Sequence, residues 1–187
     1  DSRYAMTQEV ERAHQCIDLA KSGKIVSLVS SGDPGIYGMA GLIYETLAAT
    51  GWDPSDGLKV EIIPGVSALN SCASIVGSPL MTDFAVVSMS DLMVPWEIIQ
   101  KRVESAAQGD FVLVIYNPKS KKRIHQLQDT QKILLKHRKP TTPVAIIKSA
   151  YRESETIVIT DLKNLLNFDE ELGMTTTVII GNSSTYT

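Results

Sequence analysis

Ser30-Ser31-Gly32-Asp33-Pro34-Gly35-Ile36-Tyr37-Gly38-Met39-Ala40-Gly41 follows a short β-branched run, IVSLV at 25–29, and opens a helical pattern. A strand, a glycine turn and a helix start place backbone N–H groups and a helix dipole where a ligand can meet them. Gly32 and Gly35 remove side chains from the turn and let a ligand approach the backbone. Gly38 and Gly41 read as close-packing positions inside the helix. Asp33 has two readings on local grounds. Its carboxylate accepts hydrogen bonds from a ligand's amine or hydroxyls, or it is an N-cap in a tight turn. The stretch is neither G-x-G-x-x-G nor a P-loop, so a nicotinamide or ATP site lacks its fingerprint.

The same alternation continues outward. Val10, Ala13, Ile17 and Ala20 form one side of a first helix, capped by Thr7 and ended by Gly23. A helix is expected from Ile36 to Ala49, stopped at Gly51. KVEII at 59–63 reads as a strand, and Val66 to Val76 as a small apolar helix. Then come a strand at 84–89 (FAVVSM), a helix from Pro95 to about Ala107, and a buried strand at 111–116 (FVLVIY). A long helix over 120–138 follows, then strands at 144–147 and 156–160, a short helix capped by Asp161, and a last strand at 177–180. This order predicts an α/β fold with helices over a mixed or parallel sheet. The turn-rich GSPLMTD at 77–83 suggests two α/β halves, 1–80 and 81–187, and a cleft between halves is a common place for a small molecule.

Two further segments repeat the turn-and-helix logic. Pro64-Gly65-Val66-Ser67-Ala68 puts Ser67 near a helix N-terminus, either against a ligand or in a plain capped turn. Tyr116-Asn117-Pro118-Lys119-Ser120 ends a buried strand, and Lys121, Lys122 and Arg123 follow. These cations form either a rim for substrate carboxylates or a solvated helix start. His14, His125 and His137 fall on polar helix faces and read as surface residues. No nucleophile–base pair stands out, and Ser67 lacks a G-x-S-x-G elbow. The pattern is that of a site that binds and positions, as methyl transfer from a sulfonium requires.

Composition narrows the class. The 187 residues are 43% hydrophobic and 21% charged with a formal net charge of −3, values of a globular chain. That charge argues against a nucleic-acid binder. Cys16 and Cys72 form no disulfide framework and no zinc spacing, so no metal is expected, and a reducing cytoplasm is. No apolar run approaches the ~18 residues of a membrane span, and no signal peptide is visible.

Taken in order, Ser31-Gly32-Asp33-Pro34, Pro64-Gly65-Val66-Ser67-Ala68 and Pro79-Leu80 resemble the tetrapyrrole methylases, the S-adenosylmethionine-dependent family of corrin-ring and sirohaem methyltransferases. The resemblance runs from Met6 to Thr185. Its wording is closest to the branch of precorrin-3B C17-methyltransferases, or cobalt-factor III methyltransferases. SSGDPGIYGMA at 30–40, DFAVVSMSD at 83–91, YNPKS at 116–120 and GNS at 181–183 carry that likeness.

The resemblance implies the two-domain class III methyltransferase fold, usually a homodimer, with the cofactor folded into the cleft between domains. It implies donor contacts, to S-adenosyl-L-methionine and its product S-adenosyl-L-homocysteine, at Ser31, Gly32, Asp33, Ile36, Ser67, Ala68, Asn117 and Ala150. Asn117 stands where relatives often have Met and Ala150 where they often have Gly. Thr176 and Thr177 are weaker candidates for the adenosine side. The substrate would be a small-molecule tetrapyrrole, with Lys119, Lys121, Arg123, Lys148 and Arg152 as candidates for its carboxylates. The implied reaction is methylation at C17 of precorrin-3B or cobalt-factor III with ring contraction. No catalytic residue is singled out.

The family begins with a strand and a G-x-G-P-G turn that this sequence does not carry. The fold is therefore expected to lack that strand, with the natural N-terminus upstream of Asp1. Two other readings stay open: a relative acting on another carbon of the corrin ring, or a truncated, non-catalytic adenosine-binding domain.

Overall fold

The FVLVIY run becomes the centre of a sheet. In a computed structural model, residues 8–55, 57–120 and 125–187 are described. Thr7, Lys121, Lys122 and Arg123, singled out above, lie outside them. The chain divides into two compact units, Asp1–Ser67 and Ala68–Thr187.

In the first unit, α1 (Glu9–Lys21) buries Ala13 and Ile17, and α2 (Met39–Ala49) buries Met39, Ala40 and Leu47. The two helices pack on each other. Gly23, at φ 86°, closes α1 in the left-handed conformation that glycine adopts without strain. The residues at 25–29 and 59–63 are not strands. Neither is assigned to a ladder, and Ile25 and Val29 are exposed rather than buried. Alternate residues at 26, 28 and 30 are half-buried, the period of a strand. A strand, however, exists only through the backbone of a neighbour.

Helix α2 starts three residues later than the pattern suggests. Tyr37 has φ 53°, outside the right-handed helical region. Gly38 is the extended N-cap.

The second unit holds α3 (Ala68–Ile75), β1 (Phe84–Ser88), α4 (Trp96–Gln108), β2 (Val112–Tyr116), α5 (Gln126–Leu134), β3 (Pro143–Lys148), β4 (Thr156–Asp161), a 3-10 segment (Leu165–Glu171) and β5 (Thr176–Ile180). The strand order is β1-β2-β5-β3-β4. β1 and β2 are parallel, and the other pairs are antiparallel, so the sheet is mixed.

Side chains alternate across the sheet with the period of two that pleating imposes. Leu113, Ile115, Val144, Ile146, Val178 and Ile180 face α4, α5 and the 3-10 segment. Val112, Val114, Ala145, Ile147 and Ile179 face α3 through Leu69, Cys72 and Ala73. β2 is buried on both faces, which is why its sequence is continuously apolar rather than alternating. β4 is an edge strand. Its Ile157 and Ile159 lie on the α3 side and are exposed, because α3, with only 8 residues, covers the middle of the sheet.

The helix over 120–138 is shorter than expected. α5 ends at Leu134, and i→i+3 bonds from Lys136 to Ile133 and from His137 to Leu134 tighten the chain ahead of Pro140.

Candidate functional site

Asp33 organises the turns of the first unit. Its Oδ1 accepts a hydrogen bond from the Gly35 N–H at 2.7 Å, and its Oδ2 accepts one from the Gly65 N–H at 3.0 Å. The carboxylate therefore ties the Gly-Asp-Pro-Gly turn to the Pro-Gly turn. The N–H of Gly65, then that of Gly35, hold its carboxyl below the usual aspartate range. Asp33 is not the N-cap of α2, a position that Gly38 takes. A carboxylate offers about four acceptor positions. The Gly65, Gly35 and Ile36 N–H groups all act on this half-buried carboxylate, which leaves acceptor capacity for a ligand N–H or O–H.

Glycine is required where the turns meet. A Cβ on Gly65 would lie 2.3 Å from the Gly32 carbonyl oxygen, and Gly32 itself has φ 73°. A Cβ on Gly38 would lie 2.6 Å from the Pro34 carbonyl oxygen. Gly41 differs from expectation. It is exposed in α2 with nothing within 4 Å of an added Cβ, so it is not a packing position.

Among the predicted donor residues of this unit, Ser31 and Ile36 are exposed, and Ser67 is buried at the end of the Pro-Gly turn. The Ile36 N–H donates to the Asp33 carbonyl at 3.2 Å. Gly32 lies close to Ser67, whose Cα would be 3.9 Å from a Cβ there. Ser31, Gly32, Asp33, Ile36 and Ser67 thus sit on two turns held together by one carboxylate.

In the second unit, the remaining predicted residues converge at one end of the sheet. Tyr116 is in register with Ser88 on one side and Thr177 on the other, and Lys148 is in register with Thr176. Asn117 follows β2 and Ala150 follows β3, so both stand at that end. Ala68, Tyr116 and Ala150 pack on the cluster beneath α3. The Tyr116 hydroxyl oxygen accepts the Leu69 N–H at 2.6 Å, satisfying a donor in the first turn of α3.

Three non-glycine residues here have positive φ: Asn117 (52°), Ser149 (53°) and Tyr151 (59°). Such strain gathers at functional sites. The bend after β3 is held by the Tyr151 N–H on Glu155 Oε2 at 2.6 Å and by Tyr151 Oη against Ser74 Oγ at 2.9 Å.

Tyr151 and Ser74 carried no signal in the sequence, and Ser88 only that of lying within DFAVVSMSD, because their partners are 77 and 29 positions away. Asn117 Nδ2 donates to Ser88 Oγ at 3.1 Å. The Thr176 hydroxyl is taken by the Glu171 carbonyl at 2.6 Å, and both Thr176 and Thr177 are buried. Lys148 lies 3.5 Å from the Glu171 carboxylate, Lys119 is half-buried and Arg152 is exposed. Lys121 and Arg123 are outside the described residues.

The GNS segment belongs to the opposite end of the sheet. Buried Arg138 donates to the carbonyls of Phe111, of Ile180 at 3.4 Å and of Gly181 at 2.7 Å. Asn182 Nδ2 donates to the Asp110 carbonyl, and the Ser183 N–H donates to Asp110 Oδ1, each at 3.0 Å. An apolar cleft of about 540 Å³ lies at this end, between Pro143 and Gly181, and no residue assigned to the donor lines it. Among the described residues, no group of three His, Cys, Asp or Glu is placed to hold a metal ion, and no helix is long and apolar enough to cross a membrane.

Within the first unit, a half-buried carboxylate and glycine turns without side chains fit the polar groups of an adenosylated amino acid. Comparison with known proteins extends this. Residues 2–166 match the family described as Tetrapyrrole (Corrin/Porphyrin) Methylases. The chain is 54% identical over 181 residues to the cobalt-factor III methyltransferase of Priestia megaterium, which covers 97% of this chain and 33% of that protein. It is 42% identical over 184 residues to a probable cobalt-factor III C(17)-methyltransferase of Salmonella typhimurium, covering 98% of this chain and 74% of that protein. The crystal structure of the methyltransferase CobJ superposes with a TM-score of 0.88 at 34% identity, covering 100% of this chain and 75% of that one. The chain thus spans about a third of the Priestia protein and about three quarters of the Salmonella protein.

Proposed function

Because this chain belongs to the tetrapyrrole (corrin/porphyrin) methylases, we propose that it acts in cobalamin biosynthesis as a C-methyltransferase. The methyl of S-adenosylmethionine goes to C17 of precorrin-3B or cobalt-factor III, with ring contraction. The observation that carries this reading is the 54% identity, across 97% of the chain, to a protein named cobalt-factor III methyltransferase.

S-adenosylmethionine supplies a methyl group already activated on a sulfonium. The protein's part is to bind and orient. In our reading Asp33 accepts an N–H or O–H group of the donor with its remaining acceptor capacity. Gly32 and Gly35 admit the donor to the backbone. Ser31, Ile36, Ser67, Ala68, Asn117 and Ala150 complete the contacts. Lys119 and Arg152 offer positive charge to the acetate and propionate groups of a tetrapyrrole, and Lys148 joins them by releasing Glu171.

We extend the reading to a homodimer working in the cytoplasm, consistent with a chain whose two cysteines are both free. Light scattering on the purified chain tests the pairing.

Calorimetric titration with S-adenosylhomocysteine, beside the Asp33→Ala variant, tests the donor site. Saturable one-site binding that the variant weakens supports it, and a folded chain that binds nothing overturns it. Turnover with cobalt-factor III, followed by mass spectrometry, separates C17 methylation from methylation elsewhere on the ring.

A further inference from the structure

β4 is the last strand of the sheet, and its register with β3 is unbroken over all six residues. The Leu162 N–H donates to the Thr142 carbonyl at 2.9 Å, and these two stand opposite each other in that register. Hydrogen-bonded pairs alternate along an antiparallel ladder. Thr160, Val158 and Thr156 therefore bond to β3, and the N–H and C=O groups of Ile157 and Ile159 point away from the sheet. The far side of β3 agrees. There the Gly181 N–H donates to the Pro143 carbonyl, so Pro143, Ala145 and Ile147 serve β5 and the residues between them serve β4.

The side chains of Ile157 and Ile159 are exposed as well. Ile159 also lines the apolar cleft of about 540 Å³, beside exposed Met81 and Tyr186, so apolar surface runs from the strand edge into the cleft. Proteins blunt an open edge with Pro, Lys, a bulge or a very short strand. β4 has none of these. Its one charged side chain, Asp161, closes the strand and is engaged by the N–H and Nδ2 of Asn164. The opposite edge differs, because Lys101 and Arg102 of α4 line the groove beside β1.

We propose that a second copy of this chain docks on the β4 edge, β4 against β4 in antiparallel pairing about a twofold axis, so that the two sheets become one. Such an edge complements itself, since the axis sets each free N–H against a free C=O. Charge selects the register. Ile157 opposite the partner's Ile159 would put Glu155 opposite the partner's Asp161, and like charges directly opposite are destabilising. Ile159 opposite the partner's Ile159 puts Glu155 opposite the partner's Lys163, an attractive pair at each end of the junction. Glu155 and Lys163 are both exposed. The second register is the one proposed, with the two Ile159 side chains meeting at the axis. This rests on the homodimer reading above and names its interface.

Sedimentation velocity over a concentration series tests it. The unaltered chain should form a dimer at concentrations up to about 100 μM. Ile159→Lys sets two cations against each other at the axis and should raise the dissociation constant at least about 100-fold, with circular dichroism unchanged. Lys163→Glu sets like charges opposite each other at both ends and should raise it about tenfold. Adding Glu155→Lys to Lys163→Glu recreates the attractive pairs and should bring it back to within about threefold, a rescue that a merely structural role would not give.

If Ile159→Lys does not fold, amide exchange of the unaltered chain replaces it. The Ile157 and Ile159 amides should then exchange more slowly as concentration rises, because pairing gives both a partner. Exchange that does not slow overturns the proposal. A dimer that Ile159→Lys leaves intact, or one that the double variant does not recover, also overturns it and leaves the homodimer reading standing. An unaltered chain that stays monomeric throughout overturns both.

Discussion

Asp33 Oδ2 and the Gly65 N–H are joined at 3.0 Å across 32 residues of sequence. That single bond, with the Gly35 bond to the other oxygen, makes one rigid feature of two glycine turns. It explains why an acidic residue follows Gly32 without serving as a helix cap.

Asp33→Asn keeps the shape of the side chain but replaces one acceptor by a donor, so one of the two N–H bonds is lost. Affinity for S-adenosylhomocysteine should fall by about tenfold or more. The pH dependence has a definite sign. The carboxyl is held below its ordinary value by Gly65 and Gly35. Its contribution is therefore full above the unfolded value of about 4 and is lost as pH falls through the lower folded value. Binding should be insensitive to this group between about pH 5 and 7 and weaken in acid, with no such acid limb in Asp33→Asn. Titration at several pH values checks both.

Two glycine-to-alanine changes should have opposite signs. Gly65→Ala drives a Cβ against the Gly32 carbonyl at 2.3 Å, where backbone must move. It should destabilise by about 2 kcal/mol or more and weaken donor binding. Gly41→Ala meets nothing within 4 Å and sits inside α2, so it should stabilise by about 0.5–1 kcal/mol. Urea denaturation of the two variants gives both numbers.

Arg138→Met removes the donors to the carbonyls of Phe111, Ile180 and Gly181 from a buried position. Burial pushes this guanidinium's pKa down, and the nearby Asp110 carboxylate opposes that shift. Losing these buried hydrogen bonds should cost about 3 kcal/mol. Arg138→Lys should recover little of that, since an ammonium is a point donor and cannot spread over three acceptors. Thermal unfolding followed by circular dichroism checks the ranking.

Tyr116→Phe removes the acceptor of the Leu69 N–H at the start of α3. The expected loss is about 1 kcal/mol, with faster hydrogen exchange at the Leu69 amide and little change in α4 or α5. Amide exchange by NMR separates this local effect from global loosening.

Much of the second unit was legible because its elements announce themselves locally. FVLVIY is apolar without alternation, as a strand buried on both faces must be, and α4 follows Pro95 as expected. The segments at 25–29 and 59–63 have strand composition and, at 25–29, strand-like alternation of exposure, but no ladder. Composition states what a backbone would accept, not whether a neighbour is there to pair with it. Gly41 was misread for a related reason. A glycine pattern shows where side chains are missing, whereas only packing shows whether space was needed.

The sequence by itself determined the α/β class, the order of the elements in the second unit, the family and the turns that carry Asp33, Ser67 and Asn117. Those properties follow from periodicity, turn chemistry and motif wording, all written within a dozen residues at a time. The tertiary structure alone decided that Asp33 spans to Gly65, that Tyr116 caps α3, that Arg138 gathers three carbonyls and that Ser88 meets the side chain of Asn117. Each of these is a hydrogen bond between groups distant in the chain. Such bonds have short range and strict direction, so only the folded backbone brings their partners within reach.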